Sequence, residues 1–192
     1  MRARRVPAVT AIAVAVTTVL AGCTGGGGQP SPQTVTHTST TTPATSASSR
    51  PRSISLAGLD PCSLLTPAQK TQLGLASARV DTSPAKAFNN APACSWITDG
   101  DGYSFELITT EGISAWTSGT RQGKATPSAP INGFPTLSVT PPVPQQCYTV
   151  VDVADGQYLL AYIGADQADA ATMCDLVHTF AAAGMATLTS QR

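Results

Sequence analysis

Four cysteines beyond residue 60, Cys62, Cys94, Cys147 and Cys174, constrain this chain more than any other feature, and a fifth, Cys23, stands apart at the end of an apolar run. If the chain works in an oxidising compartment and Cys23 is used elsewhere, the other four form an even set that can staple a small domain. Three pairings are open to them. No Cys-x-x-Cys spacing occurs, so bridges are favoured over zinc binding or thiol redox chemistry.

The N-terminus decides the compartment. Met1–Arg5 carries three arginines, and Val6–Leu20 is an apolar run too short for a good permanent span. Basic start, apolar middle and small residues at the end are the pattern of an export signal, expected over residues 1–22. The run closes on Leu20, Ala21, Gly22 and Cys23, which resembles the bacterial lipobox, where small residues admit a peptidase and the thiol receives a diacylglyceryl group. Lipidation is therefore expected at Cys23. Two acyl chains hold a protein stably to a bilayer where one holds it marginally. The expected address is the extracytoplasmic face of the cell membrane, with the membrane as partner through the lipid.

Residues 23–55 are rich in Gly, Thr, Ser and Pro and nearly free of large apolar side chains, so they cannot bury enough surface to fold. They read as a disordered tether with a reach of about 30 Å as a flexible coil. His37 is a solvated residue of that tether. The remaining stretch, 56–192, has the length of one domain. It carries 6 basic and 11 acidic side chains, a net charge of −5. With no Lys/Arg cluster to neutralise phosphates, nucleic acid is not an expected partner.

Within the domain, Thr66, Pro67 and Gln69 form a capping-box pattern ahead of a short helix over about Pro67–Leu73, with Gly74 as its stop. Ala93–Thr110 reads as a hairpin turning at Asp99–Gly102, with Cys94 and Trp96 on one face of the first strand and Tyr103, Phe105 and Leu107 on one face of the second. A short helix near Ile113–Ser118, a loop rich in Gly and Pro, and a strand at Thr136–Thr140 follow. A second hairpin turns at Asp155 and Gly156. The last block offers Asp166 as N-cap, with Ala170, Met173, Val177, Phe180 and Ala181 at helical spacing in the longest helix. The expected fold is α+β: an antiparallel sheet of about four to six strands, a short N-terminal helix, a longer C-terminal helix largely on one face, and two disulfides. Locality favours Cys62 with Cys94 and Cys147 with Cys174.

The lipobox, the Thr/Ser/Pro stalk, Asp60–Leu65 (DPCSLL), Cys94 with Trp96, and a late cysteine in a closing helix together resemble the actinobacterial lipoproteins of the domain of unknown function 3558 family, over about Leu59 to Leu188. The resemblance implies an exported, membrane-tethered domain with paired cysteines, and brings no activity with it.

Chemistry-bearing residues are few. His178 is the one histidine of the domain and reads as an ordinary helix residue, since no second histidine stands at metal spacing and no Gly-x-Ser-x-Gly occurs. Asp99 and Asp101 lack the further ligands of a calcium loop and read as a turn. Glu106 and Glu111, the only glutamates, read as surface residues. Trp96, Trp116, Tyr148 and Tyr162 read as sheet core rather than the lining of a ligand pocket. No catalytic, cofactor-binding or metal-ligating residue is assigned and no cofactor is expected. The sequence thus favours a non-enzymatic binding module for an envelope protein or small ligand. An envelope hydrolase or transferase, or a sensor or inhibitor of a membrane partner, stands as the alternative.

Overall fold

The computed structural model describes residues 49–165 and 169–192. The signal segment, Cys23 with its expected lipid, most of the tether including His37, and Asp166 lie outside them.

Seven strands form one antiparallel sheet rather than four to six: β1 (Arg79–Asp81), β2 (Ala93–Ile97), β3 (Asp101–Ile108), β4 (Lys124–Ile131), β5 (Phe134–Thr140), β6 (Gln146–Ala154) and β7 (Gln157–Ala165). Their spatial order is β1-β2-β3-β7-β6-β5-β4. Both turn signals act as expected, Asp99–Gly102 leading from β2 into β3 and Asp155–Gly156 joining β6 to β7. The two strands missed by the sequence reading are the two edges. β1 has three residues, and β4 contains Pro127 and Pro130. Proline donates nothing to a ladder, so it is tolerated where one side of the strand has no neighbour.

Three helices accompany the sheet. α1 (Pro67–Gln72) has the full capping box: Thr66 Oγ1 accepts from Gln69 N at 3.2 Å and Gln69 Oε1 accepts from Thr66 N at 2.8 Å. α2 (Ser114–Thr117) is the expected short helix. α3 (Ala170–Ser190) begins at Asp169, not Asp166: Asp169 Oδ1 accepts from the backbone N–H groups of Ala171 and Thr172, both at 3.0 Å. Asp169 sits where those first free amides of the helix can be reached, which is what an N-cap must do.

α3 lies across β6 and β7 and buries Met173, Val177, Phe180, Ala181, Met185 and Leu188. Phe180 stacks on Phe105 with ring centroids 4.1 Å apart, and Trp96 meets both rings edge-on. Gly184 permits this contact, because a Cβ there would stand 2.5 Å from Phe105 Cζ. The bridges stitch the same face. Cys62–Cys94 joins a short 3-10 turn at Pro61–Leu64 to β2, and Cys147–Cys174 joins β6 to α3, with Cα separations of 5.1 and 5.2 Å.

The opposite face carries a second apolar cluster, including Ile108, Trp116, Leu137, Val139, Val150, Tyr158 and Leu160, roofed in part by α2 and by a 3-10 turn at Lys86–Phe88. The packed unit also takes in residues that the sequence assigned to the tether. Arg50 holds both carboxylate oxygens of Asp152 at 2.7 Å and reaches Asp155, Ile54 is buried, and Ile54 N donates to Val153 O at 2.8 Å. The chain thus joins the domain beside the β6–β7 turn. Among the described residues no helix is long and apolar enough to cross a membrane.

Candidate functional site

The sheet register places three successive rows of side chains on the face away from α3. One row is Ser95, Ser104, Tyr162, Tyr148 and Val139, read across β2, β3, β7, β6 and β5. The row nearer the β6–β7 turn is Ala93, Glu106, Leu160, Val150 and Leu137, and the row beyond is Ile97, Gly102, Gly164 and Gln146. In the first row β2 and β3 carry serines, whereas β6 and β7 carry tyrosines. A hollow follows from that difference in size. Its far wall is the Ala85–Phe88 segment, and it holds about 320 Å³ lined by Ser95, Ser104, Glu106, Gln146, Tyr148 and Tyr162 among others. A second hollow of about 400 Å³ shares Gln146 and Tyr162 and opens over Gly102 and Gly164. The first hollow, which holds Glu106, is the groove.

Glu106 sits in this groove, half-buried, and among the described residues its Oε2 has no hydrogen-bond partner. Burial pushes its carboxyl up to about 7, against the smaller opposing effects of a hydrogen bond from Ser104 and of the Arg121 charge. The tyrosines respond in kind: burial raises Tyr148 and Tyr162, and the neighbouring Glu106 charge adds to both. Tyr162 lies folded down along its own strand, its hydroxyl occupying the space a Cβ on Gly164 would fill. The ring stands beside that of Tyr148, tilted 36° to it, with centroids 5.4 Å apart.

The wall is braced from below. Arg121 donates through Nε to Glu111 Oε1 at 2.7 Å and through Nη1 to Ala87 O at 2.7 Å, and its guanidinium stands 4.5 Å over the Phe88 ring. Tyr158 donates to the same Glu111 oxygen. One carboxylate thus ties the sheet to the 85–88 wall.

Neither glutamate is the surface residue expected from sequence. Ser104 and Glu106 alternate with apolar neighbours and so read as a solvent face, but that face is overhung by the 85–88 segment and walled by tyrosines. The four aromatics divide: Trp96 and Trp116 are core, as expected, while Tyr148 and Tyr162 line the groove. The pairing of small residues on β2 and β3 with tyrosines on β6 and β7 was the signal available, and it requires knowing the strand order. His178 Nε2 donates to Ala129 O at 3.0 Å, fastening α3 to the edge strand β4. Asp99 and Asp101 belong to the hairpin turn, where Thr98 N donates to Asp101 O at 2.9 Å. Among the described residues no group of three or more His, Cys, Asp or Glu side chains is placed to hold a metal ion.

No curated protein and no solved structure matches the chain. A family model described as a protein of unknown function, DUF3558, matches residues 18–187, nearly the whole length. By that match this chain belongs to the DUF3558 family.

Proposed function

We propose that this protein is an exported lipoprotein, held to the outer face of the cell membrane by a lipid on Cys23, whose domain is a non-enzymatic module that binds a small ligand in the Glu106 groove. The observation that carries the reading is the Glu106 carboxyl in this hollow, whose Oε2 meets no donor among the described residues. A buried polar atom left unpaired costs about 1–3 kcal/mol, more when charged, so a ligand that donates to this carboxyl offsets part of the deficit. Among the described residues Glu106 is the only carboxyl lining that hollow. Two bridges suit an oxidising space. The chain enters the domain beside Asp152 and Asp155.

Two results are expected. Protein extracted from its own membranes and examined by native mass spectrometry should retain a small molecule, and a Ser95→Trp variant that fills the groove should lose it. Equal retention by both would place binding elsewhere, and no retained mass in either would count against the binding reading. Cys23→Ser should abolish acyl labelling and release the chain from the membrane fraction, and unchanged labelling would refute the anchor.

A further inference from the structure

We infer that the groove takes a small organic cation, an ammonium group that donates to the Glu106 carboxylate while its carbon chain lies against the rings of Tyr148 and Tyr162. This rests on reading the groove as a ligand site and adds the class of ligand.

What the Glu106 carboxylate lacks is a positive charge. A carboxylate withdrawn from water is tolerated when a cation is supplied beside it. Among the described residues Glu106 has no such partner. The ion pairs present are Arg50 with Asp152 and Asp155, and Arg121 with Glu111. Arg121 lends Glu106 some favourable field, but its guanidinium is spent on Glu111, Ala87 O and the Phe88 ring. Lys86 lines the groove with its side chain exposed at the rim.

A neutral hydroxyl ligand would satisfy the hydrogen bond and leave the buried charge uncompensated. An anion would be repelled. An ammonium does both jobs, and the rest of the lining suits its remaining N–H groups: the hydroxyls of Ser95 and Ser104 and the carboxamide oxygen of Gln146 can all accept. The tyrosines add a second attraction. Tyr162, flattened over Gly164 and flanked by Tyr148, presents an aromatic surface beside the carboxylate, and ring faces attract cations. The volume lies at the lower end for ligand pockets, which fits a compact amine. The net charge of −5 from Leu56 onward favours cation approach.

The groups facing Glu106 also fix how binding should depend on pH. Burial pushes the ionisation of Tyr148 and Tyr162 upward and the Glu111 pair raises Arg121 further, with Lys86 standing exposed on the lining, so the group that changes near neutrality is Glu106. Ammonium binding should therefore strengthen as pH rises through neutrality.

The test is an NMR titration of the mature chain, from residue 23, in a neutral detergent with both bridges intact. The probes are n-butylammonium, tetramethylammonium and the uncharged n-butanol. At about pH 8, n-butylammonium should give saturable shifts at Tyr148, Tyr162 and Glu106. Tetramethylammonium, which has no N–H, should bind more weakly at the same residues, and n-butanol should not saturate. Glu106→Gln should weaken n-butylammonium about tenfold or more, the range for a hydrogen bond to a charged group. Saturable binding of n-butanol, or equal n-butylammonium affinity in Glu106→Gln, would overturn the cation while leaving a ligand groove. No groove shift from any probe would also overturn the cation, and the groove reading would fall with it only if the membrane-extracted protein likewise retains no small molecule.

Discussion

Replacing Cys147 and Cys174 together by alanine is expected to lower the unfolding free energy by about 3–4 kcal/mol, the entropy released when a covalent loop of this size is opened in the unfolded chain. The two bridges close loops with sequence separations of 32 and 27 residues, so the Cys62–Cys94 pair should cost a similar amount. The effects are large against the stability of a typical domain, about 5–15 kcal/mol. This core has reason to need them, since aromatics make up 5% of the chain and Trp96, Phe105 and Phe180 concentrate at one contact under α3. Urea denaturation of the two double variants should show each loss singly. Treating the native protein with reductant should remove both bridges at once and leave a largely unfolded population. A reduced chain that keeps the native midpoint would show that packing alone holds the sheet to α3.

Glu106→Gln is expected to stabilise the domain, and by an amount that grows with pH. Burial raises the Glu106 carboxyl from 4.5 to about 7, so the folded chain holds that proton more tightly than the unfolded one. The favourable contribution of the protonated carboxyl is fully present below about pH 4.5 and is lost as pH rises through about 7. At about 1.4 kcal/mol per pH unit, the penalty for ionising the folded state reaches about 3 kcal/mol. Glutamine keeps the shape and never ionises. The two proteins should have similar stability near pH 4 and diverge toward pH 8, with the variant the more stable. A difference that does not change over that range would mean the side chain is held by packing rather than by its charge. A site that weakens its own fold to keep a buried carboxylate is a common signature of function.

Much of the fold was legible because its signals are local. The Thr66–Gln69 capping box, the Asp99–Gly102 and Asp155–Gly156 turns and the 3.6-residue spacing of Met173, Val177 and Phe180 each depend on residues within one turn or one helix face. The two edge strands were not legible. β4 is written KATPSAPI, a run whose prolines argue against a central strand, and only the strand order reveals that it has a neighbour on one side alone. The helix cap was displaced by three residues because Asp166 and Asp169 are equivalent as residue types and differ only in where the helix begins.

The groove was hidden for a related reason. Glu106 alternates with Phe105 and Leu107, a pattern that normally marks a strand with one wet face. Its burial comes from Tyr148 and Tyr162, more than forty residues away, and from the 85–88 wall that Arg121 and Glu111 pin in place. No local periodicity encodes that meeting. The tyrosines were noticed as aromatics but taken for core, because in sequence they alternate with residues that are core.

The account turns on one carboxyl, and its titration can be watched directly. With side-chain carboxyl carbons labelled by carbon-13 in the bridged protein, the Glu106 resonance, identified by its absence in Glu106→Gln, should titrate with a midpoint near 7 in the absence of amines and move lower when n-butylammonium is added. A midpoint near the ordinary glutamate value of about 4.3, unmoved by the amine, would mean Glu106 is solvated, and would contradict both the groove and the cation assigned to it.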